Sequence, residues 1–132
     1  MFENLKLVIK NSYSPLSKFK TACIIKCKNG QEIIGVNVEN KSFKGGMCAE
    51  QVAISSAISE GYKKEDFEEI HILGSSNKAC MPCFLCREYL FEFFLPDTKV
   101  FCYNNRGKFK CYTVSQLCPL PFILEVKKWL MN

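Results

Sequence analysis

The sequence contains very little histidine and no long apolar run. His71 is the only histidine among 132 residues, and its place between Ile70 and Ile72 indicates a structural side chain rather than a metal ligand. No apolar run approaches the roughly 20 residues that a membrane-spanning helix requires. The N-terminal segment carries an early acid, Glu3, and lacks an unbroken apolar stretch, so it is not typical of a secretory leader. These features argue against a membrane protein and a secreted one.

Internal repeats, linkers and low-complexity segments are also absent from the sequence. A chain of 132 residues can bury a core without disulfides, so we expect a single domain over residues 1–132. The nine cysteines are an odd number and follow no leader, which argues against a disulfide framework. We therefore predict a reducing, cytoplasmic location, in which the cysteines serve other purposes.

The positive charge is modest and scattered. The formal net charge is +5, and the lysines alternate with apolar residues, as on the outer face of strands. A nucleic-acid-binding protein usually gathers its charge on one face and adds exposed aromatic side chains. The pattern favours a solvated surface, and we expect no nucleic-acid partner.

The hydrophobic pattern predicts helices that alternate with strands after an opening hairpin. The predicted helices cover residues 2–11, 49–60, 83–95 and 122–130, and the predicted strands cover residues 21–27, 31–38, 68–74, 100–103 and 109–114. Asn29-Gly30 is a strong signal for a tight turn between the first two strands. Cys23 and Cys27 fall inside the first strand and are predicted to be core thiols. The order of elements predicts a layered α/β domain.

Two short motifs carry residues suited to metal chemistry. They are Cys48-Ala49-Glu50 and Pro82-Cys83-Phe84-Leu85-Cys86. Three thiolates can fill three positions of a tetrahedral zinc ion, and an open fourth position distinguishes catalytic from structural zinc sites. A nearby carboxylate that is not a ligand can then move protons to and from water. We predict Cys48, Cys83 and Cys86 as zinc ligands and Glu50 as the catalytic residue.

The predicted ligands lie at the starts of two predicted helices. Unpaired N–H groups and the positive end of the helix dipole stabilise thiolates there. Pro82 suits the start of the second helix, where its missing N–H costs nothing.

Other interpretations of these cysteines remain open at this point. Cys83-x-x-Cys86 alone also fits a zinc ribbon or a redox pair. Cys80 extends the spacing to Cys-x-x-Cys-x-x-Cys, which hints at an iron–sulfur cluster, but the usual Cys-Pro three residues later is missing. In the catalytic zinc interpretation, Cys80 is not a metal ligand.

Four motifs together resemble the cytidine deaminases of the small, homotetrameric, three-cysteine kind. They are Ser14–Phe19 (SPLSKF), Gly35–Asn40 (GVNVEN), Cys48-Ala49-Glu50 and Pro82-Cys83-x-x-Cys86-Arg87. The resemblance implies a three-layer α-β-α sandwich around a five-stranded mixed sheet, with one Zn²⁺ per subunit. It also implies hydrolytic deamination of cytidine and 2′-deoxycytidine to the uridines, with release of ammonia, as in pyrimidine salvage.

The resemblance further implies substrate contacts within one subunit. Asn37 and Glu39 would bind the ribose hydroxyls, and the alternation of a strand would place both on one face. Phe19 would pack against the pyrimidine ring. The backbone N–H of Ala49 would orient the base, and Glu50 would carry protons to the ring nitrogen and to the leaving amine.

Two aromatic residues are implied to serve neighbouring subunits. Phe43, in the Lys41–Gly46 loop, would reach one neighbouring site, and Phe122, after the fifth strand, would close over the base in another. A homotetramer with shared active sites is therefore expected.

The chain departs from the family pattern at several positions. Gln51 stands where three-cysteine members usually carry Arg, although Gln51 can still donate hydrogen bonds to sulfur. Leu16 replaces a customary Tyr, and Phe84-Leu85 replaces a small pair, which can narrow the pocket wall.

Two other deaminase classes are alternatives to this function. Gly45-Gly46-Met47-Cys48-Ala49-Glu50 also resembles the blasticidin-S deaminases, whereas Glu39 and Phe19 favour a nucleoside. A polynucleotide-editing deaminase is disfavoured by the short chain and by the lack of a basic stripe.

Overall fold

The structure is a computed structural model that describes residues 1–125. Within them the strands are β1 Thr21–Cys27, β2 Glu32–Val36, β3 Phe67–Gly74, β4 Lys99–Tyr103 and β5 Phe109–Thr113. The helices are α1 Phe2–Ile9, α2 Ala49–Ser59, α3 Phe84–Phe93 and α4 Val114–Leu117, with a 3-10 turn at Lys64–Asp66. The helix predicted at residues 122–130 lies mostly outside the described residues, and residues 122–125 are not helical.

The strands form one mixed sheet in the order β2-β1-β3-β4-β5. Strand β3 runs parallel to β4, and the other neighbouring pairs are antiparallel. The hairpin between β1 and β2 turns at the predicted Asn29-Gly30, where Gly30 has a φ of +90°. This left-handed conformation favours glycine, because glycine has no Cβ to clash with the backbone. The prediction of a five-stranded mixed sheet is confirmed.

Helices cover both faces of the sheet. On one face α1 packs Leu5 against Ala22 and Ile24 of β1. On the other face α2 and α3 bury Ala53 and Leu90 in the larger core cluster, which also contains the predicted core thiols Cys23 and Cys27. The three-layer α-β-α sandwich is therefore confirmed.

His71 lies on the α1 face, away from the predicted zinc ligands. Its Nδ1 is 2.8 Å from the Tyr103 hydroxyl, its Nε2 is 3.0 Å from Glu69 Oε1, and its ring stacks on Phe101. Burial lowers the pKa of His71, so the neutral ring is favoured. The side chain fills a structural position, as its place in the sequence indicated.

Strand β2 ends earlier than the sequence predicts. Val38 exchanges backbone hydrogen bonds with Met47, of 3.0 and 2.8 Å. It is therefore paired with the segment before α2 instead of extending the ladder with β1. This pairing brings the end of β2 beside the start of α2, where Cys48 lies.

Helix α2 approaches the backbone of β2 closely at Gly35. A Cβ on Gly35 would come within 2.5 Å of the Ala53 backbone nitrogen. Only glycine allows this approach without a shift of the helix or the strand, so Gly35 fixes the height of α2 above the sheet.

Among residues 1–125, none of the helices is both long enough and apolar enough to span a bilayer.

Candidate metal centre and catalytic site

Three cysteine side chains converge at one end of the sandwich. The Sγ atoms of Cys48, Cys83 and Cys86 all lie within 4.8 Å of one another, and Cys48 Sγ is 3.9 Å from Cys83 Sγ. Zinc–sulfur bonds of about 2.3 Å in a tetrahedral arrangement place two sulfurs about 3.8 Å apart. The three residues therefore fit a zinc ion, with a fourth coordination position left for water or substrate.

The starts of two helices position these three thiols. Cys48 is the N-cap of α2 and Cys83 is the N-cap of α3. Cys86 lies one turn into α3, and its backbone N–H donates to Cys83 Sγ at 3.4 Å. The unpaired N–H groups of both helices thus point towards the sulfurs and stabilise negative charge on them.

The three thiols differ in environment. Cys86 is buried, Cys48 is half-buried and Cys83 is exposed. A hydrogen bond with the Cys86 thiol is the main cause that lowers the pKa of Cys48, to about 7. The same hydrogen bond, with burial, raises the pKa of Cys86. Cys48 is therefore the thiol of this pair that ionises first, and thiolates are the form that zinc binds.

The carboxyl group of Glu50 lies in the first turn of α2, beside the three cysteines. Its residue is only 5% exposed, and burial raises its pKa, although a hydrogen bond with the Cys86 thiol opposes the shift. A carboxyl group with a raised pKa can hold a proton closer to neutral pH, which suits general acid–base catalysis.

A cleft of about 380 Å³ opens over Glu50, Cys48 and Cys83. This volume falls within the range of small-molecule binding sites. The cleft also brings together three of the predicted substrate contacts, which are distant in sequence: Phe19, Asn37 and Glu39.

Asn37 is largely engaged within the protein. Its side-chain Nδ2 donates to the Phe19 carbonyl at 2.8 Å, and its Oδ1 accepts from the Thr21 N–H at 2.9 Å and from the Ser12 hydroxyl. The side chain therefore holds the segment that carries Phe19 against the wall of the cleft. One amide hydrogen of Nδ2 is left over for a ligand.

Glu39 holds the same segment from the other side. Its Oε1 accepts the backbone N–H groups of Leu16 and Ser17 at 2.8 and 3.1 Å. A hydrogen bond from the Ser17 side chain is the main cause that lowers the pKa of Glu39. The carboxylate is thus ionised at neutral pH and can accept further hydrogen bonds.

Among the remaining predicted contacts, Phe43 and Phe122 do not line the cleft of their own subunit. Phe43 is 77% exposed and has a φ of +61° in its loop. Phe122 is 60% exposed, lies beside α3, and donates its backbone N–H to Glu88 Oε1 at 3.0 Å. Ala49 is buried as the first residue of α2, where its N–H has no partner within the helix.

Sequence reasoning missed several residues that line the cleft, among them Met47, Cys80 and Met81. Met47 and Met81 directly precede motif residues, and Cys80 begins the second cysteine run. Their position next to the motifs was the only signal in the sequence, because the direction in which these side chains point depends on the fold.

Gln51 acts differently from the sequence-based expectation. Its side-chain oxygen accepts the backbone N–H of Cys48 at 2.7 Å, and the two residues form a capping box at the start of α2. The side-chain oxygen of Gln51 thus binds the backbone of Cys48, and the backbone N–H of Gln51 donates to the Cys48 sulfur.

Gln51→Ala should therefore weaken zinc binding without removing a ligand. Loss of the cap leaves the Cys48 backbone free to move, and groups that orient a ligand typically contribute about 10-fold or more to metal affinity. We also expect the free energy of unfolding to fall by about 1 kcal/mol. Chelator competition measures the first effect and urea denaturation the second.

Gln31→Ala, in the exposed hairpin, is the matched control for this substitution. A Gln51→Ala protein with the zinc affinity of the parent would contradict the role assigned to the cap.

Comparisons with known proteins agree with this geometry. The family model for the cytidine and deoxycytidylate deaminase zinc-binding region matches residues 1–103. A cytidine deaminase of Mycoplasma genitalium is 38% identical over 117 residues, which cover 89% of this chain and 88% of that protein. A blasticidin-S deaminase of Bacillus cereus is 32% identical over 114 residues, which cover 80% of this chain and 79% of that protein.

A solved structure is also similar to this one. A cytidine deaminase from Burkholderia pseudomallei superposes with a TM-score of 0.87 at 30% identity, and the match covers 92% of this chain and 95% of that chain. The fold, the three-cysteine cluster and the family match agree, and the chain belongs to the zinc-binding cytidine and deoxycytidylate deaminase family.

Proposed function

We propose that this protein is a zinc-dependent cytidine deaminase, formed by a single domain over residues 1–132. It would convert cytidine and 2′-deoxycytidine to uridine and 2′-deoxyuridine with release of ammonia, in cytoplasmic pyrimidine salvage. The observation that carries the proposal is the buried carboxyl group of Glu50, which lies beside a three-cysteine zinc cluster in an open cleft.

Cys48, Cys83 and Cys86 would hold the zinc ion, which when bound would supply the Lewis acidity that makes water a nucleophile near neutral pH. Glu50 accepts a proton from the attacking water as the new C4–O bond forms. It delivers this proton to N3 of the ring, then takes the second proton from the new C4 hydroxyl group and passes it to the leaving amino group. The C4–N bond breaks, ammonia leaves, and Glu50 is again ionised. One carboxyl group with a raised pKa can serve as both base and acid in this sequence.

Residues across the cleft orient the substrate. The Phe19 ring packs against the pyrimidine, and the free N–H of Ala49 at the start of α2 holds the base. The ionised carboxylate of Glu39 and the remaining amide hydrogen of Asn37 bind the ribose hydroxyls. The hydrogen bond that Asn37 donates to the 12–21 segment and the one that Glu39 accepts from it support this role, because they pre-position both side chains before substrate binds.

The decrease in ultraviolet absorbance that accompanies cytidine deamination tests this function. Purified protein should consume cytidine and release one ammonia per uridine formed, and prolonged treatment with a strong zinc chelator should abolish turnover. An active, zinc-loaded protein that spares cytidine would overturn the proposal.

Blasticidin S is the matched competing substrate. The similarity to a blasticidin-S deaminase favours it as the second candidate, since both substrates carry a cytosine ring. Preference for blasticidin S over cytidine, judged by kcat/KM, would assign the chain to that activity instead.

We further propose that the enzyme is a homotetramer with shared active sites. Phe43, Phe84 and Phe122 are all largely exposed, and aromatic side chains are frequent anchors of interfaces. Phe122 also contributes to an apolar groove between α2 and α3, with Ile58 and Leu85. These surfaces support an assembly in which Phe43 and Phe122 complete neighbouring sites.

Phe122→Ala should raise the KM for cytidine by about 10-fold or more, as expected for truncating an aromatic anchor. The zinc content should stay unchanged, because Phe122 is not one of the three clustered ligands. Phe109→Ala, at an exposed aromatic position on β5, is the matched control. Mixing Phe122→Ala with inactive Glu50→Gln subunits should restore part of the activity if subunits exchange. A fully active protein that sediments as a monomer would contradict the shared site.

A further inference from the structure

Three segments that carry cleft residues meet at the end of strand β3. Gly74 is the last residue of β3, Phe19 precedes β1, and Cys80 begins the run that leads to Cys83. A Cβ placed on Gly74 would lie 2.8 Å from Cys80 Cβ, 2.9 Å from Cys80 Sγ and 3.0 Å from Phe19 Cζ. The Cys80 side chain and the tip of the Phe19 ring therefore share the space that the missing side chain of Gly74 leaves.

The backbone on each side of this contact is anchored. Cys80 N–H donates to the Tyr103 carbonyl at 3.1 Å, at the end of β4. Phe19 N–H donates to Ser17 Oγ at 3.0 Å, and the next residue, Lys20, donates its N–H to Ser75 Oγ at 3.0 Å. Neither segment can move away easily, so the bulk of the side chains at Gly74 and Cys80 sets where the Phe19 ring lies.

Cys80 is outside the zinc cluster but inside the cleft. The three-residue group of potential ligands contains Cys48, Cys83 and Cys86, whereas Cys80 lines the cleft beside Phe19 and Glu50. Burial raises the pKa of Cys80 to about 12, so this thiol stays neutral and adds no charge near the zinc site.

We propose that Cys80, packed over Gly74, is a positioning residue that supports the Phe19 ring and thereby sets the width of the cleft for the pyrimidine. The proposal rests on the proposed function, because Phe19 is assigned there to the substrate ring. Cys80 acts through Phe19: it takes no proton and binds no metal. Its effect should therefore fall on substrate binding rather than on the chemical step.

Variants that move side-chain volume from Cys80 to Gly74 test the proposal in the zinc-loaded enzyme. Gly74→Ala should raise the KM for cytidine about 10-fold, since contacting residues couple strongly, with kcat and zinc content nearly unchanged. Cys80→Gly should also raise KM, because it leaves the ring unsupported. The double variant should have a KM close to that of the parent, since the methyl group at 74 replaces the lost thiol. Cys111→Ala, at an exposed thiol outside the cleft, is the control and should leave KM unchanged.

Increases in KM that simply multiply in the double variant would overturn the proposal. A loss of kcat or zinc in Cys80→Gly at unchanged KM would overturn it as well, because both would indicate a role at the metal.

A second measurement needs no turnover and remains available if Gly74→Ala does not fold. The holoenzyme is treated with N-ethylmaleimide, and the modification of Cys80 is followed by peptide mass spectrometry. Phe19→Ala should speed the labelling of Cys80 by about 10-fold or more, since loss of the ring exposes the thiol, whereas the control Phe109→Ala should not. Equal labelling rates would refute the contact. If the parent enzyme does not deaminate cytidine, the proposed function fails, and the labelling comparison still decides whether Cys80 supports Phe19.

Discussion

Replacing Glu50 by Gln should abolish nearly all turnover of cytidine while the protein keeps its fold and one zinc per subunit. Gln has the shape of Glu but cannot accept and return a proton. General acid–base catalysis by a positioned residue contributes up to about 10⁴-fold, so we expect a loss of about 10³-fold or more in kcat. Ammonia release measures the loss, and metal analysis by mass spectrometry measures the zinc.

The position of Glu50 explains why the effect should be confined to chemistry. Its carboxyl group is not one of the three clustered ligands, and it is held in the first turn of α2, whose placement depends on Gly35 and the core. Glu60→Gln, at the exposed C-terminal end of the same helix, is the matched control and should be fully active. Loss of zinc in Glu50→Gln, or near-normal activity, would refute the assignment of Glu50 as the proton carrier.

The order of elements could be predicted from the sequence because its signals are local. A continuous apolar run, Ala22–Ile25, marks β1, and Asn29-Gly30 marks the turn that follows it. The clustered small and branched residues of α2 mark a helix buried against a sheet, as observed. Short elements gave no such signal: the 3-10 turn at Lys64–Asp66 and helix α4 are too brief to show a period.

Features that depend on long-range pairing could not be predicted. Strand β2 ends at Val36 because Val38 pairs with Met47, which no local pattern indicates. Strand alternation was the basis for placing Asn37 and Glu39 on one face, yet both follow the end of the strand. They reach the same cleft because each binds the 12–21 segment through its side chain.

The metal cluster could likewise be predicted from the sequence, whereas the contacts around it could not. The spacing of the cysteines and the helix starts beside them were sufficient to indicate Cys48, Cys83 and Cys86. The sequence did not indicate how the Gln51 side chain is used, because an amide can donate or accept a hydrogen bond. The hydrogen bond from the Cys48 N–H shows that the side-chain oxygen of Gln51 is the atom used. Cys80 illustrates a further limit, because its contact over Gly74 depends on how three distant segments meet.

Replacing any one of Cys48, Cys83 and Cys86 by serine should remove most of the zinc affinity. Structural zinc sites contribute about 10–16 kcal/mol of binding free energy, or about 3 kcal/mol for each of four ligands, which corresponds to about a 100-fold loss per ligand. Dialysis against a zinc-buffered solution, followed by metal analysis, measures the change. Activity should fall in parallel, because each substitution also removes the site of water activation.

The three substitutions should separate in stability, because the thiols differ in burial. Cys83 is exposed, so Cys83→Ser should lose zinc and retain the stability of the zinc-free parent. Cys86 is fully buried, and the shorter C–O bond of serine would draw its hydroxyl away from Cys48 and Glu50, the hydrogen-bond partners of the thiol. Cys86→Ser should therefore lower the free energy of unfolding by about a further 1–3 kcal/mol, measured by urea denaturation with chelator present.

Cys80→Ser and Cys111→Ser are the controls and should keep one zinc per subunit. A Cys80→Ser protein that purifies without zinc would mean that the metal is held by a different set of cysteines.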